Sequence, residues 1–128
     1  MRFLSFLLLA LHAPAFADWR STERALDDFA RRQAIEHAPD SIRRVNRQVN
    51  ALGLTDCKAQ AFEKLRRLTR YGINADRAMM VVVRTETGAY HAIAMIDRKW
   101  AMDGRFNEVM TIEALKKLGY AIAPVGDS

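Results

Sequence analysis

Residues 78–103 read AMMVVVRTETGAYHAIAMIDRKWAMD, and this stretch decides the fold class. Two apolar runs, over 78–83 and 90–96, have the length and the residue types of short β-strands. Thr85-Glu86-Thr87-Gly88 is a hairpin-turn sequence between them, and Asp97-Arg98-Lys99 predicts a second turn before a short strand over 100–103. Strands joined by such short turns predict an antiparallel sheet.

The sequence before this stretch has the 3.6-residue period of amphipathic helices. Asp56 is expected to cap a helix that Gly72 ends, and Gly53 is expected to end the helix before it. We expect helices over residues 21–37, 41–52, 57–71 and 111–118, and a last short strand over 120–123. Because most helices precede the strands, the predicted fold class is α+β.

The predicted helix over 57–71 has an apolar face and a charged face. The apolar face consists of Cys57, Ala61, Leu65 and Leu68. We expect Leu65 and Leu68 to pack against the strand residues Val81–Val83 and Ile93–Met95. The charged residues of the helix are expected to face water: Lys58, Glu63, Lys64, Arg67 and Arg70.

Composition excludes several classes of protein. The chain has 128 residues, 50% hydrophobic and 27% charged, which is typical of one globular domain and excludes a disordered or collagen-like chain. A single cysteine, Cys57, excludes an intramolecular disulfide and a cysteine-rich zinc site. The net charge of +5 is compatible with an anionic partner. No cofactor and no metal are expected.

The first residues have the three parts of a secretory signal peptide. Arg2 precedes an apolar run over 3–11, and Ala15-Phe16-Ala17 is a cleavage-site sequence. We predict a signal peptide over 1–17, a single domain over 18–128, and a periplasmic or secreted location. The apolar run is shorter than the roughly 20 residues that span a bilayer, so no transmembrane segment is expected after cleavage. In an exported protein the arginine pairs on the helices are solvated or contact an anionic envelope surface, and nucleic acid is not an expected partner.

Cys57, His91 and Asp103 are the candidate chemical residues. A helix N-terminus favours a thiolate at Cys57. A histidine on a nearby strand can exchange a proton with that thiolate, and a carboxylate on the next strand can orient the imidazole. Each residue also has a structural interpretation: a small buried cysteine, a core histidine and a turn-capping aspartate.

These three residues lie in sequences that resemble the bacterial transglutaminase-like cysteine peptidases. The resemblance covers about residues 45–124. The matching sequences are Val45-Asn46-Arg47-Gln48-Val49-Asn50, Asp56-Cys57-Lys58-Ala59-Gln60-Ala61, Met80-Val81-Val82-Val83-Arg84, Gly88-Ala89-Tyr90-His91-Ala92-Ile93 and Met102-Asp103. The resemblance implies an exported thiol hydrolase with a papain-like core, in which the cysteine-bearing helix packs on a small antiparallel sheet.

By this resemblance Cys57 is the nucleophile, His91 the general base and acid, and Asp103 the orienting carboxylate. The substrate would be a protein or peptide, whose amide forms a thioester with Cys57 that water then hydrolyses. The backbone N–H of Cys57 is one expected oxyanion donor. Gln48 and Asn50 are polar candidates for a second donor.

The chain departs from the family pattern at three places. Only residues 51–56 separate Asn50 from Cys57, which shortens one wall of the expected cleft. Ala59 replaces an acidic residue, and Lys58 adds a positive charge, so calcium binding is not expected. Gly104 follows Asp103 where asparagine is usual. The alternatives are therefore a catalytically degraded relative that binds a periplasmic or envelope partner, a cationic envelope-binding module, and an enzyme that transfers the acyl group to an amine.

Overall fold

The computed structural model describes residues 24–32 and 37–123 of the chain. Helix α1 lies within residues 24–32. The remaining elements, in chain order, are α2 (Asp40–Asn50), α3 (Cys57–Leu68), a 3₁₀ turn (Thr69–Tyr71), β1 (Ala78–Arg84), β2 (Tyr90–Ile96), β3 (Trp100–Met102), β4 (Met110–Thr111) and α4 (Ile112–Leu118). This mixture of helices with an antiparallel sheet confirms the α+β class. The predicted signal peptide over 1–17 lies outside the described residues, as do residues 21–23 and 33–36 of the predicted helix over 21–37, whose last residue, His37, is not helical.

The strands form one sheet in the order β1-β2-β3-β4, and each neighbouring pair is antiparallel. Arg84 lies opposite Tyr90 next to the turn of the first hairpin. Asp97 and Arg98 both have a φ of +55°, the left-handed conformation of a tight hairpin turn. β4 was not predicted, because two residues are too few to form a pattern. In the predicted strand over 120–123, only Ala121 pairs, in a single bridge to Arg84.

Two hydrophobic clusters cover the two faces of the sheet. Since side chains alternate along a strand, Ala94 and Ile96 point to one face, where they pack with Leu68 of α3 and with residues of α2. Ile93 and Met95 point to the other face and pack in a cluster that includes Leu115 of α4. The sheet is therefore a layer between α2 and α3 on one side and α4 on the other.

The prediction for the buried face of α3 was wrong in two respects. Of the strand residues expected to pack against Leu65 and Leu68, the cluster of these two leucines contains only Ala94, and Val83 and Ile93 belong to the opposite face. Lys64 was expected to face water, but its side chain is buried. The first error follows from the alternation of side chains along a strand, which puts Val83 and Ile93 on the face away from Leu68. The second follows from the helical rotation of 100° per residue, which gives Ala61, Lys64 and Leu68 one common face toward the sheet.

None of the helices within 24–32 and 37–123 combines the length and the hydropathy that crossing a membrane would require.

Candidate functional site

Cys57 is the first residue of α3. Asp56 precedes it as the N-cap, and Oδ1 of Asp56 accepts a hydrogen bond from the backbone N–H of Lys58 at 3.0 Å. The Cys57 thiol is free and partly buried. The positive end of the helix dipole therefore lies at a thiol that a reagent can reach.

His91 and Asp103 are in direct contact. Nε2 of His91 lies 2.6 Å from Oδ1 of Asp103, and the His91 side chain is 13% exposed while Asp103 is fully buried. β2 and β3 pair with Ala94 opposite Met102, so the short turn between them brings the start of β2 beside the end of β3. Because an ionised Asp103 accepts the proton on Nε2, Nδ1 of His91 is the nitrogen that can exchange a proton with a thiol.

Cys57 does not bond to this pair directly: none of the hydrogen bonds between the described residues joins its thiol to His91. The first turn of α3 nevertheless lies against the residue that follows Asp103. The side chain of Gln60 donates a hydrogen bond to the carbonyl of Leu54, and its oxygen occupies the space where a Cβ at Gly104 would be. Gly104 therefore allows the helix that begins at Cys57 to approach the turn after β3 closely.

Three further residues complete the environment of Asp103. The hydroxyl of Tyr120 donates to Oδ2 of Asp103 at 2.6 Å, and the backbone N–H of Arg105 donates to Oδ1 at 2.8 Å. The Arg105 guanidinium donates to the Tyr120 hydroxyl at 2.8 Å and forms two hydrogen bonds with Glu86, at 2.6 and 2.7 Å. Every oxygen of the buried carboxylate thus has a donor.

These hydrogen bonds decide the charge of Asp103. Burial by itself raises the pKa of its carboxyl, but the hydrogen bonds and charge of His91, together with the donors of Tyr120 and Arg105, outweigh it and hold the pKa below its ordinary value. Asp103 is therefore a carboxylate at neutral pH, as an orienting acceptor for His91 must be.

The sequence did not indicate Tyr120, Arg105 or Glu86. Arg105 lies two residues after Asp103, but nothing in the sequence pairs it with Glu86 in the first hairpin turn. Tyr120 follows the last helix and was predicted only as a strand residue. No local pattern could have identified these three side chains, because only the packing of the strands and of α4 brings them together.

The two candidates for a second oxyanion donor lie on α2. Nδ2 of Asn50 donates to the backbone carbonyl of Phe106 at 2.8 Å, and Nδ2 of Asn46 donates to the carbonyls of Phe106 and Asn107 at 3.1 Å each. Gln48 is exposed. The Asn50 amide thus ties α2 to the loop after β3, and an oxyanion role for Gln48 or Asn50 stays a prediction.

An open cavity of about 580 Å³ lies between the first hairpin and the chain after α4, and none of Cys57, His91 and Asp103 belongs to its lining. Its walls include Tyr90, the neighbour of His91 in the chain, Val83, which faces His91 across the strands, and Tyr120. Arg84 and Lys116 are the charged residues of its lining, and both are basic. The cavity is large enough for a few side chains of a peptide and attracts acidic ones.

Metal ligation has no support in the part of the chain that the structure describes. There, no group of three or more histidine, cysteine, aspartate or glutamate side chains is arranged to hold an ion. The carboxylate of Asp103 is saturated by protein donors instead.

Comparisons with protein-family models, with curated proteins and with solved structures find no match to this chain.

Proposed function

We propose that the chain is an exported thiol hydrolase of the transglutaminase-like type, which cleaves a peptide or amide bond through a thioester on Cys57. The observation that carries the proposal is the contact of the partly buried His91 with the buried Asp103, 2.6 Å apart, next to the turn against which the first turn of α3 packs. A free cysteine at the N-terminus of that helix and a histidine with one nitrogen on a carboxylate are parts that such chemistry requires.

Acylation would start from a Cys57 thiolate and a protonated His91. The thiolate attacks the carbonyl carbon of the substrate amide, and the carbonyl oxygen gains the negative charge, which the backbone N–H of Cys57 stabilises. The C–N bond then breaks, and His91 transfers the proton on Nδ1 to the leaving amine. Asp103 holds Nε2 of the ring during both steps, so the ring keeps its orientation.

Deacylation would return the enzyme to its starting state. His91 takes a proton from a water molecule, which attacks the thioester carbonyl, and the C–S bond breaks to release a carboxylic acid and the Cys57 thiolate. If an amine attacks instead of water, the product is a new amide. Hydrolysis and transamidation therefore use the same residues, and the supply of amine decides between them.

The proposal places the reaction in the periplasm or outside the cell, on the basis of the predicted signal peptide over 1–17. The substrate would be a protein or peptide. The basic residues Arg84 and Lys116, which line the cavity next to Tyr90 and Tyr120, favour an acidic segment there. Contact between the arginine-bearing helices and an anionic envelope surface remains part of the proposal.

A non-catalytic binding role is the second candidate. The observation that favours it is that no hydrogen bond joins Cys57 to His91 among the described residues, together with the short connection over 51–56. In that case the protein binds a periplasmic or envelope partner without turnover. A Cys57→Ser variant would then keep the cellular function, whereas it would abolish the function of a thiol hydrolase.

The rate of Cys57 alkylation as a function of pH tests the enzyme. We expect the wild-type protein to react with iodoacetamide with an apparent pKa well below about 8.5, the value of an ordinary thiol. His91→Ala should raise that apparent pKa, whereas His37→Ala, a matched change at an exposed histidine, should leave it unchanged. An unreactive Cys57, or a pH profile of alkylation that is the same in the wild-type protein and in His91→Ala, would contradict the proposed chemistry.

A further inference from the structure

Tyr120 is fixed on both sides by backbone hydrogen bonds. Its own N–H donates to the carbonyl of Leu115 at 2.9 Å, and the next residue, Ala121, exchanges two hydrogen bonds with Arg84, at 2.9 and 3.0 Å. The side chain is 4% exposed, and its hydroxyl is 2.6 Å from Oδ2 of Asp103. The chain after α4 therefore holds a phenol hydroxyl rigidly against the carboxylate that contacts His91.

We propose that Tyr120 is a positioning residue for the His91–Asp103 pair: its hydroxyl holds Oδ2 of Asp103 so that Oδ1 stays on Nε2 of His91. Asp103 is thereby held through both oxygens, and its carboxylate plane is fixed relative to the imidazole ring. The role in catalysis rests on the proposed function, but the link between Tyr120 and His91 does not require that the protein be an enzyme.

Arg105 determines the direction of the Tyr120 hydrogen bond. Its guanidinium has only donors, and Nη1 lies 2.8 Å from the Tyr120 oxygen, so that oxygen accepts from Arg105 and its own proton is directed to Asp103. Glu86 holds the guanidinium through two hydrogen bonds. Burial and the charge of Asp103 raise the pKa of Tyr120 well above its ordinary value, so the hydroxyl stays a donor at any physiological pH.

The groups around Asp103 predict the sign of the effect. His91 of β2, Tyr120 after α4 and the backbone of Arg105 donate to the carboxylate, while Lys64 of α3 attracts it and Glu86 of the hairpin turn repels it. Each donor takes up part of the negative charge that stabilises a protonated His91. Removing the Tyr120 hydroxyl leaves more of that charge for the imidazolium, so the pKa of His91 should rise.

The experiment is a ¹⁵N NMR titration of the His91 ring in the wild-type protein and in Tyr120→Phe. We expect the midpoint to rise by about half a pH unit in the variant, the size expected from the loss of one hydrogen bond. Tyr71→Phe, a matched change at an exposed tyrosine, should not move the midpoint. In an Asp103→Asn background, Tyr120→Phe should have no effect, because the coupling passes through the carboxylate. An unchanged His91 midpoint in a folded Tyr120→Phe protein would overturn the proposal.

A second measurement keeps the proposal testable if Tyr120→Phe does not fold. Fluorotyrosine is incorporated into a Tyr71→Phe, Tyr90→Phe protein, so that Tyr120 is the labelled position. The fluorinated phenol is a stronger donor, so the His91 midpoint should fall rather than rise. A rise, or no change, would contradict the assigned role.

The test also separates this inference from the proposed function. Cys57 alkylation that is independent of His91 would remove the thiol-hydrolase proposal. A His91 midpoint that still responds to the Tyr120 hydroxyl would show that the positioning of the pair is correct in that protein. In the opposite case, the alkylation of Cys57 depends on His91 but the His91 midpoint does not change in Tyr120→Phe. That result would contradict only the role of Tyr120.

Discussion

Two charged side chains are buried in the part of the chain that the structure describes: Asp103, which follows β3, and Lys64, in the middle of α3. Asp103 accepts hydrogen bonds from His91, Tyr120 and Arg105. None of the described hydrogen bonds or ion pairs involves Lys64, whose ammonium interacts with Asp103 only through its charge.

The difference appears in the two pKa values. The hydrogen bonds to Asp103 outweigh its burial and keep its pKa below the ordinary value. Burial lowers the pKa of Lys64 from 10.5 to about 8, and the attraction of Asp103 offsets only part of this change. Burial alone therefore does not decide whether a charge is tolerated; the donors or acceptors around it do. The hydrogen bonds to Asp103 compensate the burial of its charge, whereas the buried charge of Lys64 destabilises the folded protein.

Replacing Asp103 should have the largest effect on stability. Asp103→Leu leaves the buried hydroxyl of Tyr120 and the part-buried donors of His91 and Arg105 without an acceptor, so we expect the free energy of unfolding to fall by about 3–5 kcal/mol. Urea denaturation at pH 7 measures this loss. Asp76→Leu, at an exposed position, is the matched control and should change little. A loss as small as that of the control would mean that the hydrogen bonds to Asp103 do not compensate its burial.

The same carboxylate predicts the behaviour in acid. Its pKa is lower in the folded than in the unfolded protein, so its contribution to stability is complete above the unfolded value, near 3.8, and is lost as the pH falls through the lower folded value. Asp103→Leu should therefore have a flatter stability profile below pH 4 than the wild-type protein.

Replacing Lys64 should change the free energy of unfolding in the opposite direction. Lys64→Met removes a buried charge and keeps the aliphatic volume, so we expect the free energy of unfolding at pH 7 to increase by about 1–3 kcal/mol. Lys58→Met, on the exposed side of the same helix, is the control. A clear loss of stability in Lys64→Met would break the comparison, because it would mean that Lys64 is needed to balance Asp103.

The stability difference between the wild-type protein and Lys64→Met should also depend on pH in the alkaline range. The folded pKa of Lys64 is below the unfolded one, so the unfolded chain binds more protons between pH 8 and 10.5, and wild-type stability from this group rises over that range. The advantage of Lys64→Met should therefore shrink between pH 8 and 10.5. Denaturation curves of both proteins at several pH values measure the difference directly.

Disturbing the contact between α3 and the turn after Asp103 should have a moderate effect on the free energy of unfolding. In Gly104→Ala the new methyl group overlaps the side chain of Gln60, which must leave its hydrogen bond to Leu54. We expect a loss of about 1 kcal/mol relative to the parent protein. In a Gln60→Ala background the same substitution should cost much less, and equal costs in both backgrounds would contradict this packing.

An exposed ion pair should have the smallest effect. Arg77 makes two hydrogen bonds to Asp97, at 2.9 and 2.7 Å, but both side chains are nearly half exposed. Water screens the pair and solvates each partner after the other is removed, so Arg77→Gln should hardly move the urea midpoint. A loss comparable to that of Asp103→Leu would mean that hydrogen-bond geometry, and not burial, sets the energy of charged groups here.

Local sequence patterns were sufficient for most of the secondary structure. Asp56 as an N-cap and Gly72, with a φ of +78°, as a left-handed stop bound the helical segment that begins at Cys57. The change from a helical period to apolar runs located β1, β2 and β3. These signals are local, because capping, turn conformation and periodicity involve residues only a few positions apart. They also placed Cys57 and His91 on the correct elements.

The surroundings of the buried charges of Lys64 and Asp103 could not be predicted from such local patterns. A lysine among other charged residues of a helix predicts a solvated face, yet the rotation of α3 buries Lys64 with Ala61 and Leu68. Asp103 had a predicted neighbour in His91, and its bond from the backbone N–H of Arg105 fits the turn-capping interpretation, but its donor Tyr120 is 17 residues away in the chain.

Local sequence patterns were enough to predict the α+β class, the helix that begins at Cys57 and the candidate residues His91 and Asp103. The burial of charges, the face of the sheet that α3 covers and the hydrogen bond from Tyr120 to Asp103 depend on the tertiary structure. The physical reason is that hydrogen-bond satisfaction of a buried group depends on side chains brought together by packing, whereas helix and strand signals depend on the backbone nearby.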